Sequence, residues 1–439
     1  MRAHNVRQAV RRWAVPVLLG VLLVGSTLSS GARAAASPEL VALLEDVAGA
    51  TGSRYQAHDE QGVGLDTAKI IPNPQGGYLA VYHHLLNNSF QVRLARSVNL
   101  LDWTYVATLE ANASQPTVEK LSDGSFLVAY EKDGSGTTCR GSGSCLGFEH
   151  YASAAALLAA SPARTVTVNR TLSSCNEGTP NIYAATLNPD LGHSIINVGF
   201  HYFSGCNVDR QAVGTLTNFS SWRAQADANL NTLFTNLGTV KGNVGDRDAF
   251  FYQGKPYSLV EGQDTKNDYR TWHPYLYDRT ANSLTRLGLR TDQGSTSFGN
   301  PTFTDLILPD GQRGFVATQF VFSEGAKPGE AGPLVYYQRY PTQSAPDGVP
   351  PTVSITQPAN GARVARLSTI TIKASASDTS GVAKVAFYVN GVLTCVSPFT
   401  PYSCNWTVPS TSGATYTLQA RALDTSSNAS TSSVTVTSR

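Results

Sequence analysis

The sequence predicts an all-β protein: a five-bladed β-propeller over residues 37–345, a linker at 346–351 and a small β-sandwich over 352–439. Three observations carry this reading. Five segments between residues 59 and 341 open alike and each runs through a turn into a second apolar strand. A run without apolar periodicity, Ala345-Pro346-Asp347-Gly348-Val349-Pro350-Pro351, then breaks the chain. Beyond it, short runs alternate apolar and polar residues with period two.

The chain has 439 residues, 33 Lys+Arg, 31 Asp+Glu and six Cys. Charged residues make up 15%, against about 25% in an average domain. With 38 Gly and scattered acids, the composition excludes a coiled coil and a disordered chain. At the N-terminus, Arg2, Arg7, Arg11 and Arg12 precede an apolar run at 13–24, and Ala32-Arg33-Ala34-Ala35-Ala36 supplies small residues for cleavage. This reads as a signal peptide over 1–36, its apolar run being shorter than the roughly 20 residues of a spanning helix. Its removal takes five Arg and no acid, leaving 28 bases against 31 acids, a net of −3. The expected product is secreted, monomeric and detached from the membrane. No basic stripe marks a nucleic-acid partner. In an exported chain the six Cys predict disulfides, and sequence proximity pairs Cys139–Cys145, Cys175–Cys206 and Cys395–Cys404.

Ser37-Pro38-Glu39 with Leu40, Leu43, Leu44 and Val47 predicts a short helix, capped by Ser and apolar on one face. The repeats follow. Their openings are Asp66-Thr67-Ala68-Lys69-Ile70, Gln115-Pro116-Thr117-Val118, Thr179-Pro180-Asn181-Ile182, Asp248-Ala249-Phe250-Phe251 and Asn300-Pro301-Thr302-Phe303. Second strands lie at 78–82, 126–130, 195–200, 257–260 and 315–320. Five such sheets set radially leave only short edges. Trp103 and Trp222 take repeat-equivalent outer positions and read as blade core. In the last segment, Val385/Phe387/Val389 and Tyr416/Leu418/Ala420 alternate, and Asn390-Gly391 marks a tight hairpin.

In a propeller the first strands line the channel, so superposing the openings assembles a polar ring: Asp66, Gln115, Glu177 just upstream of its opening, Asp248 and Asn300. The ends of the second strands add His83, Glu131, His201, Glu261 and Gln319, and Gly245-Asp246-Arg247-Asp248 adds Asp246 and Arg247. Two polar rings are costly to bury dry and suit a wet funnel that binds something polar. Carboxylates on different blades, Asp66 and Glu177 foremost with Asp248 as a third, suit glycoside hydrolysis, which needs one acid and one base or nucleophile. No metal-ligand spacing appears, so no cofactor is expected and channel-bound Ca²⁺ has no sequence support.

These residues carry a resemblance. The repeat pattern over 60–341 resembles the five-bladed propeller glycosidases: arabinanases, arabinofuranosidases, β-xylosidases and fructan hydrolases. It implies that Asp66 is base or nucleophile and that Glu177, in an E-G motif, is the acid. The family's blade-two Asp is missing, its place taken by Gln115-Pro116, so either Glu131, Asp246 or Asp248 assumes its role or the mechanism differs. Residues 352–437 resemble bacterial immunoglobulin-like modules appended to secreted enzymes and adhesins. The implied function is a glycosidase acting on a furanose- or pentose-containing polysaccharide of arabinan type. The alternative is a non-catalytic carbohydrate-binding or adhesive propeller.

Overall fold

A computed structural model describes residues 36–134, 139, 141–341 and 347–439, without the side chains of Asp246 and Arg247. The signal-peptide reading up to residue 35, part of the 134–147 loop and the start of the linker lie outside the described residues, as does any role for those two side chains. The fold is all-β, with seven sheets and three short α-helices among the described residues.

Five of the sheets have four antiparallel strands each. The first holds Asp66–Pro72, Tyr78–Leu86, Ser89–Ser97 and Thr104–Ala111. The second holds Ala113–Lys120, Phe126–Lys132, Cys145–Tyr151 and Arg164–Val168. The third holds Glu177–Leu187, Ser194–Ser204, Val208–Thr217 and Ser221–Ala226. The fourth holds Val244–Tyr252, Lys255–Gln263, Trp272–Asp278 and Ser283–Arg286. The fifth takes Phe298–Ile307, Arg313–Val321 and Gly332–Arg339 from the end of the repeat region, and its outer strand, Gly52–Tyr55, from the start. Sharing one sheet between both ends ties them with main-chain hydrogen bonds, a closure the repeat pattern did not reveal.

The first strand of each sheet touches the first strand of the next, and the fifth touches the first, so these strands form a closed cycle. Apolar residues fill the space between sheets. Leu127, Phe148, Ile196 and Phe200 pack the second sheet on the third, with Trp222 against Phe148 and Phe200. Phe250, Phe303 and Phe315 stack through the fourth and fifth. Trp103 is buried and donates its Nε1–H to the Leu100 carbonyl, as a core residue should. The helix Pro38–Glu45 forms as the sequence indicates, Ser37 accepting the Leu40 N–H and Leu40 and Leu44 entering the core. All three proximity-based disulfides are present.

The C-terminal segment is a sandwich of a three-stranded and a five-stranded sheet around Ile372, Phe387, Leu418 and Val436. Asn390 and Gly391 both have positive φ, 48° and 80°, as a two-residue hairpin turn requires. The sandwich packs on the third sheet: Ala386 and Val396 meet Ala184 and Ile195, and Phe399 lies edge-on to Tyr183 beneath the Arg279 guanidinium.

Candidate functional site

Each innermost strand carries one extra residue near its start, a bulge at the same register in all five sheets. The bulges fall between Asp66/Lys69, Ser114/Thr117, Gly178/Asn181, Gly245/Arg247 and Gly299/Thr302. In four of them the residue after the first bulge position has positive φ: Thr67 (51°), Gln115 (50°), Thr179 (49°) and Asn300 (51°). For β-branched Thr this backbone is strained, at about 1–3 kcal/mol each, and bulges re-aim side chains where strands end at a site.

This register corrects the ring expected from sequence. The residues equivalent to Asp66 are Ser114, Gly178, Gly245 and Gly299, so Glu177 sits one place outside the ring and Asp248 three places inside it. Asp248 belongs with Lys69, Thr117, Asn181 and Thr302, which line an axial cavity of about 10 Å³, room for about one water. There Asp248 is 2% exposed. Its Oδ2 accepts from Lys69 Nζ at 2.6 Å and the Phe303 N–H at 2.7 Å, and its Oδ1 from Asn181 Nδ2 at 2.7 Å. One carboxylate thus ties four sheets together. Three donors from three other sheets engage Asp248 there, away from the cleft described below.

Glu177 is 1% exposed, and its Oε1 accepts the backbone N–H groups of Thr171 at 2.7 Å, Leu172 at 2.5 Å and Ser173 at 3.1 Å. The carboxylate clamps the loop that leads to Cys175, which the Cys175–Cys206 disulfide fixes from its other side. An acid engaged by three main-chain donors anchors a loop, and Glu177 does not line the cleft described below.

Three of the five second-strand residues line one cleft. His83, Glu131 and His201 enclose about 680 Å³ together with Gln115, Thr179 and Asp209. Glu261 is the register equivalent of Glu131, but it accepts the Asn300 N–H at 2.6 Å, is 6% exposed and does not line the cleft. Asn300 in turn donates Nδ2–H to Thr67 Oγ1 at 2.5 Å, joining the fifth sheet to the first. Gln319 is the other residue outside it. Phe320 occupies the ring position opposite Gly299, and Gln319, paired with Leu334, points elsewhere and is 3% exposed.

Electrostatics separate the cleft groups. Burial lowers His83 to about 3, so its ring is neutral, and Nδ1 accepts the Gln115 N–H at 3.1 Å. Burial raises the Glu131 carboxyl above the ordinary range, opposed by His201 and assisted by the charges of Asp133 and Asp209. Burial also raises Asp66, opposed by His84, whose Nδ1 lies 2.8 Å from Asp66 Oδ2. Asp66 opens the first sheet beside His83 but does not line the cleft. His201 Nε2 lies 3.8 Å from Asp209 Oδ1. Asp133 and Asp209 are the site residues that sequence reasoning missed. Asp209 carried a usable signal, since it follows a tight turn from the His201 strand and folds back beside it.

Among the described residues, one group of three carboxylates is close enough to share a metal ion: Asp347, Asp378 and Asp424, none of which lines the cleft. No described helix is long and apolar enough to cross a membrane.

The chain is similar in structure to an exo-1,5-α-L-arabinanase from a bovine ruminal metagenomic library, at 11% identity over 65% of this chain and 94% of that one, with a TM-score of 0.41. A GH43 endo-arabinanase from Bacillus licheniformis gives 11% identity over 65% and 96%, with a TM-score of 0.41. A sucrose-6-phosphate hydrolase from Lactobacillus gasseri gives 9% identity over 91% of each chain, with a TM-score of 0.43. No curated protein matches the sequence. Residues 351–420 match the family model of a bacterial Ig domain.

Proposed function

We propose that the five sheets form a five-bladed propeller whose mouth hydrolyses an O-glycosyl bond, in an exported protein that acts on a furanose- or pentose-containing polysaccharide. The observation that carries this reading is Glu131, a carboxyl raised by burial, facing a cleft of about 680 Å³ beside a second carboxylate, Asp209. A carboxyl raised by burial suits the acid of a glycosidase, which protonates the leaving oxygen. An ionised partner activates water or attacks the anomeric carbon. Asp209, in the same cleft, is the first candidate for that partner, and Asp66 at the first bulge is the second. Neutral His83 holds the Gln115 backbone, and the charge of His201 acts on Glu131 while its Nε2 lies 3.8 Å from Asp209 Oδ1.

One observation favours a non-catalytic glycan-binding propeller instead. Glu177 and Asp248, two carboxylates of the expected catalytic set, serve as internal fasteners. The two readings separate by assaying sugar release and glycan affinity on one panel of arabinans, xylans and fructans. Release that disappears in both Glu131→Gln and Asp209→Asn supports hydrolysis by this pair. Release lost in Asp66→Asn and kept in Asp209→Asn moves the partner to Asp66. Affinity without release supports the binding reading.

A further inference from the structure

A second cavity, of about 400 Å³, lies where the third sheet, the fourth sheet and the C-terminal sandwich meet. Its size falls within the roughly 300–1,000 Å³ of ordinary small-molecule sites. The floor is one face of the third sheet, where the register sets Asn197, Thr215 and Arg223 side by side on three adjacent strands. Asn197 lies on the same strand as His201, about 13 Å along it from the cleft. Opposite His201, Gln211 donates to the Val244 and Gly245 carbonyls of the fourth sheet at 2.9 and 2.8 Å. Cavity and cleft share no lining residue among those described.

Two guanidiniums and no described carboxylate line this second space. Arg223 is exposed, and neither it nor Arg279 has an ion-pair partner among the described residues. Arg279, just past the strand Trp272–Asp278, is held by other means. Its Nε donates to Ser258 Oγ at 3.0 Å, and its Cζ lies 3.9 Å from the centre of the Phe399 ring and 4.8 Å from that of Tyr183. Its Nη2 is closed off from solvent with no hydrogen-bond partner among the described residues. A cation kept from water and left unpaired favours a negative charge in the space beside it, because the protein wall screens it less than solvent would. Arg223 has the freedom to pair with that charge directly, and its planar fork matches a carboxylate.

The rest of the wall suits a sugar ring. Val213, Pro398 and Phe399 give it an apolar side, and Thr215 and Gln225 offer hydroxyl and amide groups. A bare inorganic anion would leave most of the volume and the whole apolar side unused. Pro398 and Phe399 come from the sandwich, between its strands Val392–Ser397 and Tyr402–Thr407.

We propose that this junction is a carbohydrate site that takes a sugar bearing a carboxylate, and that the sandwich completes it by supplying Pro398 and Phe399. The proposal goes beyond the reading of the mouth and does not need it.

The test is calorimetric titration of the mature chain at pH 6 and low salt with trigalacturonate, its methyl ester, arabinotriose and inorganic phosphate. Trigalacturonate is expected to bind about tenfold or more tighter than the ester or arabinotriose, the scale of one partly screened ion pair. Arg223→Gln should remove that advantage with melting unchanged, since the native side chain is exposed. Phe399→Ala should weaken trigalacturonate as well. Glu131→Gln, which alters the mouth alone, should leave its affinity as it is. Equal binding of ester and acid overturns selection by charge. Trigalacturonate affinity that survives Arg223→Gln, or that falls in Glu131→Gln, places the ligand elsewhere and overturns the site. Phosphate that binds as tightly as trigalacturonate, and is lost in Arg223→Gln, overturns the sugar class. No binding of trigalacturonate overturns the proposal and leaves the reading of the mouth standing, because sugar release should not depend on Arg223.

Discussion

Glu131 and Gly178 meet across two sheets: a Cβ built on Gly178 would lie 1.8 Å from Glu131 Oε2. The E-G motif that leads into the third sheet therefore matters chiefly for its glycine, which makes room for an acid from the second. The arrangement recurs at Glu261, whose Oε2 would lie 2.5 Å from a Cβ on Gly299 of the fifth sheet. A carboxylate over the next sheet's glycine is thus a repeated device at the mouth.

Gly178→Ala should displace the Glu131 carboxyl and cost about 1–3 kcal/mol, the usual scale of overpacking. Thermal melting of this variant beside its glycan affinity checks it. Unchanged melting and unchanged affinity together would mean that Glu131 does not need this contact.

Glu177→Gln should destabilise the fold by about 2–3 kcal/mol, because a carboxylate acceptor for three main-chain donors becomes a neutral amide. Hydrogen exchange at Thr171, Leu172 and Ser173 should accelerate selectively. An intact melting temperature with abolished sugar release would instead restore Glu177 as the proton donor.

Much of the architecture was legible in the sequence because the five four-stranded sheets repeat. The Gln115-Pro116, Thr179-Pro180 and Asn300-Pro301 steps coincide with the bulges, and the residue before each proline takes positive φ instead of the extended backbone usual there. Spacing alone did not set the register of the fourth repeat, where Asp248 resembled an opening residue but lies three positions deeper, beside Lys69. A one-place slip likewise put Gln319 where Phe320 stands. In strands such slips exchange the side chain that faces the channel for one that does not. Nor does composition say which acid is free: Glu177 and Glu131 read alike until the partners of their oxygens are known.

Lys69→Met should cost about 3–5 kcal/mol, since it strands the Asp248 charge in the channel. Adding Asp248→Asn to it should recover part of the loss, because the unpaired charge is gone. Denaturant unfolding of both single variants and the double variant gives the coupling. Additive losses would show that the pair does not couple.

Glu149 makes stability pH-dependent. Burial, with Glu110 adding to it, raises its carboxyl to about 7, although Tyr151 and Tyr130 donate hydroxyl hydrogen bonds to it. Its folded value lies above the unfolded one, so the stabilisation is complete below about pH 4.5 and is lost as the pH rises through about 7. Wild type should therefore lose on the order of 2 kcal/mol between pH 5 and 8 from this group. Glu149→Gln should flatten the profile, and melting at the two pH values in wild type and variant reads the difference. Parallel profiles would remove Glu149 as the cause.

The account turns on Glu131 as the acid of the mouth. The direct measurement is reducing-sugar release by the mature chain on a panel of arabinans, xylans and fructans, run beside Glu131→Gln and Glu177→Gln, with melting recorded for each. Release by wild type that falls about 100-fold or more in Glu131→Gln, with the fold intact, is the predicted result. Full activity in Glu131→Gln, or activity lost in Glu177→Gln without loss of stability, would contradict it.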